Sequence, residues 1–198
     1  MKQHLPNLLT LSRIPFLFFI AGLLFVELRW MSTLALVLFI IAGLTDWWDG
    51  ALARRWGIVS DFGKLMDALT DKIMMVGLMV AVVVADLVPW WFLFFLLAIL
   101  CREFLITGMR MLAASRGVVL GAEKAGKQKT VSQIVALGIL LLVPVLEVDM
   151  GLEGTVVSVA YGRGLGVFLL ATFLTVSSGL KYFLKYRPVL REKAPASS

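Results

Sequence analysis

The sequence predicts an all-α fold: a polytopic membrane protein of six transmembrane helices with both termini in the cytoplasm. Three observations carry this. The chain of 198 residues is 60% hydrophobic and only 16% charged, whereas a soluble domain has roughly half apolar and a quarter charged residues. Its apolar residues come in runs of about 20, enough for a helix to cross a hydrocarbon core of about 30 Å. Its basic residues gather on one side of those runs. Strands are excluded, because an open sheet edge in lipid leaves backbone groups unsatisfied.

The elements follow in order. The first span, 7–27, is too long for a removable signal and has no small-residue cleavage site before the next span. The second, 32–55, and the third, 61–86, flank a turn at Ile58 and Val59. The fourth, 89–115, opens on Pro89, where a missing backbone N–H costs little. The fifth covers 126–147 and the sixth 163–186, with Glu147 to Arg163 as the loop between them. All belong to one domain, residues 1–198, whose basic and then small-residue tail from about 188 is expected to be flexible.

Charge sets the orientation. The turns near Glu27 and Arg29 and at Asp86 and Leu87, with the loop to Arg163, face one side and hold Arg29 and Arg163. The other 17 of the 19 basic residues lie at the N-terminus, around 54–72, around 102–129 and at the C-terminus. The positive-inside rule puts that second side in the cytoplasm. Lys72 and Arg102 weigh less in this count, being partly within the membrane. The net charge of +6 therefore points to a membrane surface and membrane lipid, and no nucleic-acid motif is present. Cys101, the single cysteine, is expected to pack as a small buried hydrophobe. Gly162 and Gly166 have the spacing for close helix packing.

LTDWWDGALARRWGIVSDFGKLMDALTDK, residues 44–72, places Asp46, Asp49, Asp67 and Asp71 where the second and third helices meet. Asp46 and Asp49 are three apart, Asp67 and Asp71 four apart, so each pair shares a helical face. The pairs are nearly symmetric about the turn. In a hairpin, four carboxylates converge and repel, which forces protonation unless cations offset them. Two divalent ions would do so, and carboxylate-only ligands suit Mg²⁺ or Mn²⁺. The alternative is a set of solvated charges on a cytoplasmic loop, against which stand the interleaved Trp47, Trp48, Leu65, Met66 and Leu69. Gly50, Ala53 and Gly63 remove bulk beside the aspartates, either for a flat ligand or for packing. Arg54 offers a planar fork to phosphate oxygens.

At these residues the sequence resembles the CDP-alcohol phosphotransferases, whose signature is D-x-x-D-G-x-x-A-R-x8-G-x-x-x-D-x-x-x-D. Asp46, Asp49, Gly50, Ala53, Arg54, Gly63, Asp67 and Asp71 keep every spacing. The resemblance implies transfer of a substituted phosphate from a CDP-alcohol to a hydroxyl, with release of CMP. It implies that Asp46, Asp49, Asp67 and Asp71 hold two divalent ions, with Asp71 also the base. It implies a CDP-diacylglycerol site made of Asp46, Asp49, Gly50, Ala53, Arg54, Gly63 and Asp67. A homodimer is a further implication.

The acceptor is read from the fourth and fifth helices. REFLITGMR, 102–110, puts Glu103 and Arg110 seven apart on nearly one face, with Arg102 on the flank. AGKQKT, 125–130, opens the fifth helix with Lys127, Lys129 and Thr130. Arg110, Lys127, Lys129 and Arg102 would suit an acceptor that carries its own phosphate; anchoring by positive charge alone is the alternative. With PNLLTLSRI at the start, these segments resemble the bacterial phosphatidylglycerophosphate synthases from Pro6 to about Ala136. That resemblance implies sn-glycerol 3-phosphate as acceptor, in a bacterial inner membrane, with the site facing the cytoplasm. Ala68 stands where members often have proline. A sister enzyme with another acceptor would be a cardiolipin, phosphatidylserine or phosphatidylinositol-phosphate synthase. A divalent-cation transporter could also use intramembrane aspartates, but it needs polar residues at several depths.

Overall fold

A computed structural model describes the backbone of residues 5–56, 61–118, 120 and 124–191. It is all-helical among these residues: α1 (Leu5–Leu23), α2 (Met31–Trp56), α3 (Asp61–Val84), α4 (Phe92–Ser115), α5 (Lys124–Pro144) and α6 (Thr155–Arg191), with one π-helical turn at Val145–Asp149. Phe92–Ser115, Gln128–Asp149 and Thr155–Arg187 are each long and apolar enough to cross a membrane. The apolar stretches Ser12–Leu23 and Met31–Thr45 are shorter. Large apolar side chains line the outside, among them Phe18, Phe19, Phe104 and Phe173, each at least 66% exposed. So much outward apolar surface fits lipid as the surrounding solvent.

The helices pack around one main core. α1 lies against both α2 and α3, and α6 against both α4 and α5. Leu17 and Ile20 of α1, Phe39 of α2, Leu78 of α3, Phe92 and Leu96 of α4, and Leu137 and Leu140 of α5 meet there. Gly77 lets α1 and α3 approach: an added Cβ would stand 2.6 Å from Leu17 Cδ2. A second apolar cluster joins Ile106, Met109 and Ala113 of α4 to Tyr182 of α6.

At the far end of α2 from its aspartates, Asp149 caps the helix. Its Oδ1 accepts from the Trp30 N–H at 2.7 Å, and its Oδ2 accepts from the Thr33 N–H at 2.7 Å and the Thr33 hydroxyl at 2.6 Å. Trp30 stands at φ 74°, a conformation that costs a bulky residue about 1–3 kcal/mol and persists only where surrounding contacts hold it. The Asp149 hydrogen bond supplies one such contact. The Arg29 guanidinium, 5.2 Å from the Trp30 ring centroid, supplies another.

Several expectations are corrected. The sixth helix begins at Thr155, not at 163. Gly151 and Gly154, at φ 65° and 75°, compress the turn as only glycine does without strain, and Ser158 already donates to the Gly154 carbonyl at 3.1 Å. Arg163 is therefore an exposed residue within α6, not part of a loop. The close-packed glycine is Gly164, where an added Cβ would stand 2.8 Å from Leu140 Cδ2; at Gly162 and Gly166 it would meet nothing within 4 Å. Cys101 is exposed, not buried, because α4 turns its neighbours Ile99 and Glu103 inward instead. Pro89 precedes the fourth helix, accepting the Phe92 N–H at 2.9 Å. α6 continues to Arg191, so 188–191 of the expected tail are helical backbone. Residues 192–198 and the turn at Ile58 and Val59 lie outside the described residues.

Candidate functional site

The backbone of α2 is helical through Asp46, Asp49, Gly50, Ala53 and Arg54, and that of α3 through Gly63, Asp67 and Asp71. The i, i+3 and i, i+4 spacings are therefore realised on continuous helices, and each aspartate pair shares a face by register. Asp71 is half-buried. The side chains of Asp46, Asp49, Ala53, Arg54, Asp67 and Lys127, and the surroundings of Gly50 and Gly63, lie outside the described part of the structure. The donor set suits a hard divalent cation: Asp46, Asp49, Asp67 and Asp71, four of the five aspartates on these two helices, with no cysteine or histidine in residues 44–72.

One residue beyond Asp71 the described side chains begin to form a second constellation. α4 turns a stripe inward: Phe92, Leu96 and Ile99, then Ile106, Met109 and Ala113. Position 103 falls on that stripe, four after Ile99 and three before Ile106, and it is a glutamate. Glu103 therefore sits between the two apolar clusters, where an unpaired charge would be costly.

It is paired three times. Lys129 of α5 donates to Glu103 Oε1. Arg102 Nη1 donates to the same oxygen at 3.0 Å. Lys72 Nζ of α3 stands 4.0 Å from Oε2 and donates to the Thr107 hydroxyl of α4. α6 completes the surround: Arg102 Nη2 lies 3.4 Å from Ser178 Oγ, and the Arg102 stem crosses Gly179, where an added Cβ would stand 2.9 Å from Nε. One turn along α5 from Lys129, Gln133 donates to the Thr175 hydroxyl at 3.0 Å, which fixes α5 against α6 beside the cluster. Three cations thus meet one carboxylate, leaving two positive charges in excess.

Of the residues expected to receive an acceptor's phosphate, the structure brings Arg102 and Lys129 together. Arg110 is exposed and takes no part in this cluster among the described residues, although its register follows that of Glu103. Lys72 and Glu103 were not among the expected phosphate-binding residues. The signal for Glu103 is a single carboxylate within the largely apolar run of α4. Lys72 carries no such signal, because its partners come from another helix.

Comparison with known proteins gives the same direction. A family model for CDP-alcohol phosphatidyltransferase matches residues 3–176. A Bacillus subtilis (strain 168) protein named CDP-diacylglycerol–glycerol-3-phosphate 3-phosphatidyltransferase is 36% identical over 194 residues, covering 92% of this chain and 94% of its own. Proteins of the same name from Salmonella choleraesuis (strain SC-B67) and Escherichia coli (strain K12) are 31% and 30% identical. They cover 92% and 98% of this chain, and 94% and 100% of their own.

Proposed function

The chain belongs to the CDP-alcohol phosphatidyltransferase family, and on that premise we propose that it transfers the phosphatidyl group of CDP-diacylglycerol to sn-glycerol 3-phosphate. The products are phosphatidylglycerophosphate and CMP. The observation that carries the choice of acceptor is the meeting of Lys72, Arg102 and Lys129 around one carboxylate, directly beside Asp71 in the chain. A phosphomonoester carries close to two negative charges at neutral pH, matching the excess positive charge there.

The chemistry assigns each part a task. Asp46, Asp49, Asp67 and Asp71 are the residues that would hold divalent metal. Such ions, when bound, neutralise the pyrophosphate and stabilise the charge developing on entering and leaving oxygens. Arg54 holds nucleotide phosphates, and Gly50, Ala53 and Gly63 leave room for the cytidine. The cationic cluster holds the acceptor by its phosphate, so that its 1-hydroxyl faces the phosphorus nearer the diacylglycerol. Asp71 accepts the hydroxyl proton. The new P–O bond forms as the anhydride P–O bond breaks, and CMP departs with that electron pair. The lipid tails remain in the bilayer while the headgroups react at its cytoplasmic edge, the end where the basic residues gather.

The test is an acceptor screen on the purified protein in detergent, with radiolabelled CDP-diacylglycerol and Mg²⁺. Labelled phosphatidylglycerophosphate with sn-glycerol 3-phosphate is expected. A labelled product with phosphatidylglycerol, serine or inositol phosphate instead would assign a sister activity. Asp71→Asn should abolish CMP release while melting like the wild type; normal turnover would remove Asp71 as the base.

A further inference from the structure

We propose that Glu103 is a positioning residue that assembles Lys72, Arg102 and Lys129 into one phosphate-receiving cluster, and that Lys72 is its entrance. This rests on the reading above that the acceptor carries a phosphate.

The argument starts from repulsion. Three cations held close together in a largely buried place would separate toward water unless an anion kept them. Glu103 is that anion, and its two oxygens divide the work. Oε1 binds the inner pair, Lys129 and Arg102, whose side chains are 9% and 11% exposed. Oε2 faces Lys72 across 4.0 Å, and the Lys72 side chain is 34% exposed.

The cluster is thus closed by α6 and α5 and open at Lys72. α6 closes the side of Arg102 through Ser178 and Gly179. α5 closes the side of Lys129, held by the Gln133–Thr175 hydrogen bond. The open flank belongs to Lys72, next in sequence to Asp71.

Donors are available in the cluster. An ammonium has three N–H groups, and Lys72 places one on Thr107. On the side of Gly179, the Arg102 Nε–H is buried and has no hydrogen-bond partner among the described residues. A phosphate entering beside Lys72 meets donors already spaced by Glu103, so little side-chain ordering is left to occur on binding. Lys72 and Asp71 are consecutive on α3, so a phosphate held at Lys72 lies at nearly the same level along that helix as Asp71, about 100° around its axis. This explains why an enzyme with an anionic acceptor keeps a carboxylate among its acceptor-binding cations.

The experiment uses the full chain in detergent with Mg²⁺ and measures kcat, KM for each substrate, and inhibition by inorganic phosphate competing with glycerol 3-phosphate. Lys72→Gln is expected to raise KM for glycerol 3-phosphate by about tenfold or more, the effect of losing one charge-assisted hydrogen bond. It should weaken phosphate inhibition in parallel and leave KM for CDP-diacylglycerol within about twofold. Lys72→Arg should recover part of the loss. Glu103→Gln should show the same selectivity for the acceptor, with partial recovery in Glu103→Asp. An unchanged acceptor KM in Lys72→Gln overturns the proposal, as does a Glu103→Gln variant that impairs both substrates equally. Should Glu103→Gln not fold, the Lys72 pair decides alone. A wild-type protein that releases CMP only with an acceptor lacking phosphate would overturn both this proposal and the functional reading; normal wild-type activity with unaltered variants would overturn this proposal only.

Discussion

Replacing Asp149 with alanine tests the clamp at the end of the bundle remote from the aspartates. The substitution removes the acceptor for three donors: the Trp30 N–H, the Thr33 N–H and the Thr33 hydroxyl. A hydrogen bond to a charged group contributes about 1.5–3 kcal/mol, so the three together set an upper bound of about 5–9 kcal/mol. The loss is smaller in practice, because Trp30 is 53% exposed and water entering the vacated space can serve its N–H. Removing a helix N-cap costs about 0.5–2 kcal/mol, and the Trp30 backbone loses one of the contacts holding its left-handed φ. Together these give about 2–4 kcal/mol, or a Tm lower by roughly 5–15 °C for a chain of this size. Tryptophan fluorescence during heating in detergent reads the change. Asp149→Asn should fall between wild type and Asp149→Ala, because its amide keeps one acceptor oxygen but turns a donor toward another. CMP release at low temperature should persist in both variants, since Thr33 and Asp46 are about 20 Å apart along α2. A Tm for Asp149→Ala within about 2 °C of wild type would refute the reasoning and leave apolar packing alone to set the entry of α2.

Other outcomes follow from the same geometry. Gly164→Ala should be less stable than Gly162→Ala by about 1–3 kcal/mol in thermal melts, because only the former drives a methyl into Leu140. The Gly162 variant should match or slightly exceed wild type through helix propensity. Gly179→Ala should displace the Arg102 stem and raise KM for glycerol 3-phosphate by about tenfold, with KM for CDP-diacylglycerol nearly unchanged in steady-state kinetics. Removing divalent metal with a chelator should abolish CMP release, and Mg²⁺ or Mn²⁺ should restore it; full activity after chelation would refute the role assigned to the four aspartates.

The amino-acid sequence by itself determined the helical membrane class, because lipid forces backbone hydrogen bonding into each segment. It also determined the aspartate pattern, because spacing within one helix is a local property that survives any packing of that helix. Family membership follows from the same local pattern. The start of α6 was less accessible, since TVVSVAYG reads equally as a loop or as a helix until Gly151 and Gly154 are seen to carry the turn.

Only the tertiary structure decided which faces look inward. In water, an apolar stripe marks the buried face; in lipid both faces are apolar, and that contrast fades. Gly164 and Gly162 look alike in sequence, yet an added methyl would run into Leu140 at one and meet nothing within 4 Å at the other. Arg102 and Lys129 are grouped by the sequence with Arg110 and Lys127 as phosphate-binding residues, whereas Lys72 is read only as a basic residue partly within the membrane. Arg102 adjoins Glu103 in the chain, but the meeting of Lys72 and Lys129 with that carboxylate emerges only where α3, α4 and α5 converge, and their separation along the chain gives no local trace of it.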